Sequence, residues 1–362
     1  MVMFGRLRNF GVHAITILGV AALAAVPSAY ARQASGYRRI QSIPLPQVTG
    51  WDYLSIDPSN HRLFITDNAG VLVFDTVKMR LAGLIPRTMH IHGVGMVHGV
   101  AIAPDLGRGY ISVEQPSSVT AFDSRTRSRL WSTKVDPGAD AVVNEPHTRT
   151  ILSFNGKTEA IHDVSFVDAM TGANRGVLAL PGRPEAAVAD GAGDVFVNIA
   201  DHSEIGRIDA AAHKLVALWP IENCPEPSAM ALDKFHHLLF ASCDNKSVVM
   251  VDAHNGRIIA RISSGDGTDA MAFDPAKGFL FVASGDGKLT IAREVDGRTI
   301  SVLDTIHTGP NGRTLALDTS THHVFIMTAQ FAAAGRPTKD NPHGYPRALP
   351  RSVRLLVYGP GR

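Results

Sequence analysis

The sequence predicts an all-β fold, a single seven-bladed β-propeller, on the basis of two repeating features. The first is a unit of three or four short strands. The residue that closes its third strand recurs as Asp75, Asp123, Asp168, Asp209, Asp252 and Glu294. The steps between these positions are 48, 45, 41, 43 and 42 residues, and periods of about 40–45 residues with short strands are typical of propeller blades. The second is an innermost strand in which small and larger residues alternate, as in Ala270 to Phe273, which suits the crowded hub of such a ring.

Seven copies of this unit fit between Trp51 and Tyr358, and the first runs from Trp51 to Thr76. The last copy lacks an outer strand and contains an irregular insertion at 331–350. The segment Tyr37 to Pro46 belongs to no other copy, so we expect it to pair with the last blade and close the ring, which leaves no open sheet edge.

The first 31 residues read as a secretory signal peptide. Arg6 and Arg8 precede an uncharged apolar stretch, and Ala29-Tyr30-Ala31 supplies the small residues of a cleavage site. We therefore expect a periplasmic or secreted domain at 32–362. No later apolar segment is long enough to span a membrane.

The charge balance of this domain argues against nucleic-acid binding. The full chain has 35 Lys and Arg against 33 Asp and Glu. Removing Arg6 and Arg8 leaves 33 of each, so the mature domain is formally neutral. A nucleic-acid surface would show a basic excess.

Two cysteines, Cys224 and Cys243, fall in the same repeat. An even number of cysteines in an oxidising compartment favours a disulfide. Two small buried apolar side chains are the alternative.

The repeats resemble those of the YVTN-type (YncE-like) β-propeller proteins. The matching stretches are Phe64 to Asp67 with Val71 to Asp75, and Phe281 to Ser284 with Leu289 to Ile291. The likeness extends over Tyr37 to Arg362. It implies a propeller fold and an exported protein, and it assigns no function, because one fold serves many functions.

A third regular series lies at the start of the innermost strands. Each member stands five positions before the turn that follows its strand. Its members are Asp52, His98, Asp140, Glu185, Ser228, Asp269 and Arg313. All seven are polar, although the strands are otherwise apolar. In a propeller they converge at the channel mouth, and the loops between second and third strands, including the one with Glu114, rise on the same face.

This ring of four carboxylates, one imidazole and one guanidinium is a candidate ligand site. Carboxylates crowded together favour a bound cation, and calcium, magnesium, manganese or zinc are all compatible with the residue types. His98 with Glu185 or Asp140 could perform general acid–base chemistry, and Arg313 could bind a substrate carboxylate. The alternative is a set of charges that only solvates a wet channel.

Three further groups of polar residues have simpler interpretations. His90, His92 and His98 lie in a glycine-containing loop and form a possible zinc or copper site. Histidines 236, 237, 322 and 323 fall in turns on the opposite face, which we expect to be solvated. The Asp that closes each third strand is expected to cap a turn.

The leading hypothesis is therefore an exported, non-catalytic protein that binds a small molecule, a metal ion or a partner protein at the ring. A lactonase-type hydrolase that uses the same ring, with a divalent metal ion as a possible cofactor, is the alternative from another class. A scaffold without a ligand is the third.

Overall fold

Seven antiparallel sheets of four strands make up the described part of the chain. The computed structural model describes residues 34–67, 70–86, 97–158, 161–333 and 347–361. In blades 1 to 6 the four strands follow one another in sequence order. The first strands of neighbouring blades contact each other around a complete circle, and the circle closes between blades 7 and 1. The prediction of an all-β, seven-bladed propeller is confirmed.

The strands have the following bounds. The closing strand is β1 (Tyr37–Pro44). Blade 1 contains β2 (Trp51–Asp57), β3 (Arg62–Asp67), β4 (Gly70–Asp75) and β5 (Arg80–Pro86). Blade 2 contains β6 (Val97–Ala103), β7 (Arg108–Val113), β8 (Ser118–Asp123) and β9 (Arg129–Lys134). Blade 3 contains β10 (Ala139–Glu145), β11 (Thr150–Thr158), β12 (Ile161–Asp168) and β13 (Asn174–Ala179).

The remaining blades continue the same order. Blade 4 contains β14 (Pro184–Ala189), β15 (Asp194–Ile199), β16 (Glu204–Asp209) and β17 (Lys214–Pro220). Blade 5 contains β18 (Met230–Asp233), β19 (Leu238–Cys243), β20 (Ser247–Asp252) and β21 (Ile258–Ser263). Blade 6 contains β22 (Thr268–Asp274), β23 (Phe279–Ser284), β24 (Lys288–Val295) and β25 (Thr299–His307). Blade 7 contains β26 (Leu315–Asp318), β27 (His323–Thr328) and β28 (Arg354–Pro360). Short 3-10 helices lie at Pro104–Leu106 and Ala200–His202.

The ring closes through the N-terminal strand, as expected. β1 pairs antiparallel with β28, from Tyr37 opposite Pro360 to Pro44 opposite Arg354. The Tyr37 hydroxyl also donates a hydrogen bond to the backbone oxygen of His322, at 2.9 Å. Blade 7 therefore obtains its fourth strand from the beginning of the domain.

The core lies between blades, not inside them. The buried apolar side chains of the described residues form seven clusters, and each cluster draws on two adjacent blades. On the second strand a large aromatic residue lies opposite a small residue of the innermost strand, as in the pairs Ala272–Phe281 and Ala316–Phe325. The small residues of the hub are therefore needed because the aromatic rings beside them occupy the space.

The aspartates that close the third strands serve the turns, as the sequence suggested. Asp75 accepts hydrogen bonds from the backbone N–H groups of Val77 and Lys78, at 3.1 and 2.8 Å. The bond from Lys78 is the main reason that the pKa of Asp75 is lowered. Asp123 accepts hydrogen bonds in the same way from the backbone N–H groups of Arg125 and Thr126.

Several expectations concern residues outside the described part. These are the segment 1–31, His90, His92 and most of the insertion, 334–346. At the edges of that insertion, Phe331 and Ala348 form an isolated antiparallel bridge. Within the described residues, no helix has the length and apolar character that a membrane crossing requires.

The core between blades 6 and 7 provides a test of the packing. Phe281 is fully buried, and its ring centroid lies 4.9 Å from that of Tyr37 on the closing strand. We expect Phe281→Ala to lower the free energy of unfolding by about 3–5 kcal/mol in urea denaturation, because it leaves a cavity. Phe235→Ala is the matched control, since Phe235 is 81% exposed, and it should change stability by less than about 0.5 kcal/mol. Equal effects of the two substitutions would contradict this description of the core.

Candidate functional site

The seven ring residues open the innermost strands. Five of them occupy the second position of their strand: Asp52 in β2, His98 in β6, Asp140 in β10, Glu185 in β14 and Asp269 in β22. Ser228 and Arg313 stand two residues before β18 and β26. All seven therefore lie at the same end of the central circle of strands.

A β-bulge lies at the ring position in each of the five blades that carry it within a strand. The innermost strand has one more residue than the second strand between Trp51 and Leu54 in blade 1, and between Val97 and Val100 in blade 2. The innermost strands of blades 3, 4 and 6 have an extra residue at the equivalent place. A bulge releases a residue from the ladder and redirects its side chain. The hydrogen bond that the ladder loses is replaced in blade 2, where Gly99 donates its backbone N–H to the Ser112 hydroxyl at 2.8 Å.

His98 lies at the centre of a group of carboxylates from three blades. Its Nδ1 is 2.7 Å from Oδ2 of Asp52 and 3.5 Å from Oδ1 of Asp140. Its Nε2 is 3.2 Å from Oε2 of Glu114. The imidazole is 3% exposed, whereas the three carboxylates remain partly accessible from the channel mouth. The structure thus brings together three predicted ring residues and the predicted loop residue Glu114.

The ligand atoms in this group are close enough to share one metal ion. One atom each from Asp52, His98 and Asp140 lies within 4.8 Å of the others. The three come from consecutive blades, so the relative positions of the blades determine the site. A second histidine is not required for this arrangement.

Tyr53 is a functional candidate that sequence reasoning missed. Burial raises the pKa of its hydroxyl well above the ordinary value, and the carboxylates of Asp140, Asp52, Glu185 and Asp269 raise it further. These acids belong to four different blades, so the hydroxyl lies near the point on which they converge. Tyr53 belongs to blade 1, but its side chain packs against the core cluster shared by blades 3 and 4. The side chain must therefore extend across the channel.

A sequence signal for Tyr53 does exist. The residue that follows the ring position is small or short in each of the other blades: Gly99, Ala141, Ala186, Ala229, Ala270 and Thr314. Only blade 1 has an aromatic residue there. Comparison of equivalent positions across the repeats would have identified it.

A cavity of about 170 Å³ lies within the channel beside Tyr53. Asp52 and Asp269 contribute its acidic groups, and Ala141, Ala270 and Met271 are among its apolar walls. A space of this size admits a small molecule or several waters.

The remaining ring residues make contacts of their own. Arg183 pairs with Glu185 and with Glu226, and Nε of Arg313 is 3.3 Å from Oδ2 of Asp269. The Ser228 hydroxyl donates a 2.6 Å hydrogen bond to the backbone oxygen of Thr268, in the next blade. Glu185 and Arg313 are therefore held by opposite charges, while Ser228 links two blades.

Cys224 and Cys243 form a disulfide. Cys224 lies in the loop that carries Glu226 and Ser228 into the ring, and Cys243 ends the second strand of the same blade. The bond therefore ties this part of the ring face to the sheet beneath it.

A further acidic pair lies on the same face as the ring, at blade 3. Burial raises the pKa of Asp163 to about 6, and a hydrogen bond with the carboxyl group of Asp136 acts in the same direction. Asn155 donates a 2.6 Å hydrogen bond to Asp163, which opposes this shift. This pair adds to the acidity of the ring face.

Two of the histidines in the turns of the opposite face, His236 and His322, also contact carboxylates, which corrects the expectation for these two that they are only solvated. Nδ1 of His236 is 2.6 Å from Oδ2 of Asp233 and 3.4 Å from Oε2 of Glu294, in the neighbouring blade. Nδ1 of His322 is 2.6 Å from Oδ2 of Asp274, again across a blade boundary. The carboxylates are almost completely buried, so these histidines join blades together.

The architecture is that of a WD40-like seven-bladed β-propeller, and solved structures with this fold resemble the chain. A chain in a crystal structure of a mitotic checkpoint complex has a TM-score of 0.70 at 12% identity, and the match covers 97% of this chain and 99% of that one. The structure of U3-55K has a TM-score of 0.70 at 13% identity and 88% and 98% coverage. The WD40 repeats of RRP9 have a TM-score of 0.72 at 13% identity and 90% and 98% coverage.

These likenesses show the fold alone, because the identities are so low. Neither a protein-family model nor a curated protein matches the chain. The resemblance to the YVTN-type proteins therefore stays a sequence-based prediction, and the assignment of a function depends on the site.

The contact between His236 and the two acids predicts a pH dependence of stability. The hydrogen bond to Asp233 is the main reason that the pKa of His236 is raised above 6.5, and Glu294 and Asp296 add to it. The stabilisation is therefore fully present below pH 6.5 and disappears as the pH rises through the higher value of the folded state. We expect His236→Gln to lower the melting temperature by roughly 2 °C at about pH 6 and by clearly less at about pH 9.

His307→Gln is the control for this experiment, because His307 lies exposed on an outer strand. Its effect on the melting temperature should not depend on pH over the same range. A His236→Gln effect that is equal at both pH values would show that the imidazolium does not hold the blades together.

Proposed function

We propose that this chain is an exported binding protein that holds a cation at the channel mouth of its propeller. The observation that carries the proposal is the position of His98, whose buried imidazole lies among the carboxylates of Asp52, Asp140 and Glu114. The signal-like pattern in residues 1–31 supports export to the periplasm or the cell exterior. The fold itself is one that serves binding and scaffold roles.

The charge of the ring face favours a cation. Its acids include Asp52, Glu114, Asp140, Glu185 and Asp269. Carboxylates gathered at one channel mouth repel one another, more strongly where water is partly excluded. A bound cation relieves this repulsion.

The residue types favour a transition metal such as zinc or manganese. Asp52 and Asp140 offer oxygen ligands and His98 offers a nitrogen, a mixed set that suits these ions, whereas calcium and magnesium prefer oxygen alone. The ligand atoms lie within 4.8 Å of one another, so small side-chain shifts would bring them to bonding distance. The metal would supply a fixed positive charge and a Lewis acid at the channel mouth.

The cavity beside the ring gives the site room for a ligand larger than a single ion. Its apolar walls suit a small alkyl group, and the Tyr53 hydroxyl, whose raised pKa keeps it protonated, can donate a hydrogen bond. A small organic molecule thus fits beside the cation, or in its place if the molecule itself carries an ammonium group.

Zinc binding to the purified mature protein tests the proposal. We expect isothermal titration to give a site that His98→Ala weakens by at least about 100-fold, because even the residues that merely orient metal ligands contribute roughly 10–100-fold. Affinity should also fall as the pH is lowered, since protons compete with the metal for its ligand atoms. His307→Ala, which removes an exposed imidazole elsewhere, should leave binding unchanged.

The outcomes of this titration are distinct. Equal zinc affinity in wild type and His98→Ala would overturn the metal assignment. If instead alkylammonium ions raise the melting temperature of the wild type and not that of Asp52→Asn, the cation class stands and the metal is wrong. If neither kind of cation binds, the proposal fails as a whole.

A lactonase-type hydrolase is the second candidate, and the Asp52–His98 pair favours it. A carboxylate 2.7 Å from Nδ1 orients the imidazole and makes Nε2 a better general base. We expect the purified protein to hydrolyse members of a panel of sugar lactones, with a loss of at least about 100-fold in His98→Ala. Glu185→Gln should reduce the rate less, because Glu185 pairs with Arg183. Absence of hydrolysis across the panel would leave binding as the function.

A further inference from the structure

A second charged site lies at the boundary between blades 6 and 7, on the outer part of the propeller. A cleft of about 650 Å³ is formed by the residues that follow β25, by the ends of β27 and β28, and by β1. This volume is in the range of sites that bind small molecules. Arg39, Arg351 and Arg354 line it, and its lining among the described residues includes no Asp or Glu.

Several arginines in the described part of the chain pair with a carboxylate, and these three are not among them. Arg175, Arg183 and Arg207 each pair with a carboxylate. Within the described residues, no carboxylate lies within ion-pair distance of Arg39, Arg351 or Arg354. In a domain with as many acids as bases, three unpaired guanidinium groups in one cleft are a local excess of positive charge.

One of the arginines, Arg354, is held by hydrogen bonds to a neighbouring residue. Arg354 donates from Nε to the Ser42 hydroxyl at 2.7 Å and from one terminal nitrogen to the Ser42 backbone oxygen at 3.1 Å. Arg39 is close enough to the buried hydroxyl of Tyr358 to oppose the rise in its pKa that burial causes. That hydroxyl donates to the backbone oxygen of His307, at 3.4 Å, beside the cleft.

Thr308 lines the cleft together with the three arginines. Its Oγ1 atom is buried and has no hydrogen-bond partner in the described part of the chain. A buried hydroxyl without a partner is costly, and a rotation of the side chain toward the cleft would let a ligand oxygen accept its hydrogen bond.

We infer that this cleft binds the phosphate group of a small molecule. Guanidinium groups bind phosphate through pairs of parallel N–H donors, which gives both affinity and orientation. The cleft is larger than a free phosphate ion needs, so the remainder of the ligand has room beside it. The site lies apart from the carboxylate ring and has the opposite charge, so it is independent of the function proposed for the ring.

The test compares two sources of the same chemical group. Glycerol phosphate represents a soluble phosphate ester, and vesicles of phosphatidylglycerol represent a lipid headgroup, with phosphatidylcholine vesicles as the neutral reference. We expect the mature wild-type protein to bind either glycerol phosphate or the phosphatidylglycerol vesicles. The double variant Arg39→Gln/Arg351→Gln should bind it at least about tenfold more weakly, and raising the salt concentration should weaken wild-type binding.

Arg298→Gln is the matched control, because Arg298 is exposed in a turn outside the cleft. It should bind like the wild type, and the melting temperatures of all variants should agree within about 2 °C. Arg-dependent binding of glycerol phosphate supports a soluble ligand, and Arg-dependent binding of phosphatidylglycerol vesicles alone supports a lipid headgroup. No binding to either probe, or equal binding by the double variant and the control, would overturn the inference.

Discussion

The pairing of β1 with β28 is the interaction on which the rest of the molecule depends. It joins Tyr37 with Pro360, and so requires nearly the whole domain to be ordered into a ring. Each buried cluster belongs to two neighbouring blades, so no blade can bury its apolar face alone. When the closing strand is in place, β26 becomes the neighbour of β2 and the boundary between blades 7 and 1 is buried like the others. Closure thus completes the core and the circle of innermost strands in one step.

The same closure places like charges together at the channel mouth. The starts of the seven innermost strands converge there. Because acids occupy four of those positions, the fold brings their side chains close to one another. The bulges in five blades add to this, because they turn the ring residues away from the ladder and toward the channel. Acids that the rest of the fold holds close together are typical of a functional site.

The sequence was sufficient for the features that follow from the repeat and from the one segment left outside it, and insufficient for side-chain contacts between blades. The period of the closing aspartates predicted seven blades, and the unmatched segment at Tyr37 predicted the closing strand. The ring positions followed from their spacing. The partners of His98 could not be predicted, because they depend on the angle between blades and on how far Glu114 reaches from its loop. The role of His236 was missed for a similar reason, since its contact with Glu294 crosses from one blade to the next.

Departures from the repeat are the most informative positions in this molecule. All blades must satisfy the same packing requirements, so the shared requirements do not explain a residue that differs from its equivalents. Tyr53 stands where six other blades have a small or short residue, and it extends beneath the acids of the ring. The closing strand has no equivalent in chain order, and it brings Arg39 to a cleft whose described lining contains no acid to pair with it. Tyr53 beside the carboxylate ring and Arg39 in the cleft are therefore both departures from the repeat, and the repeat alone accounts for neither.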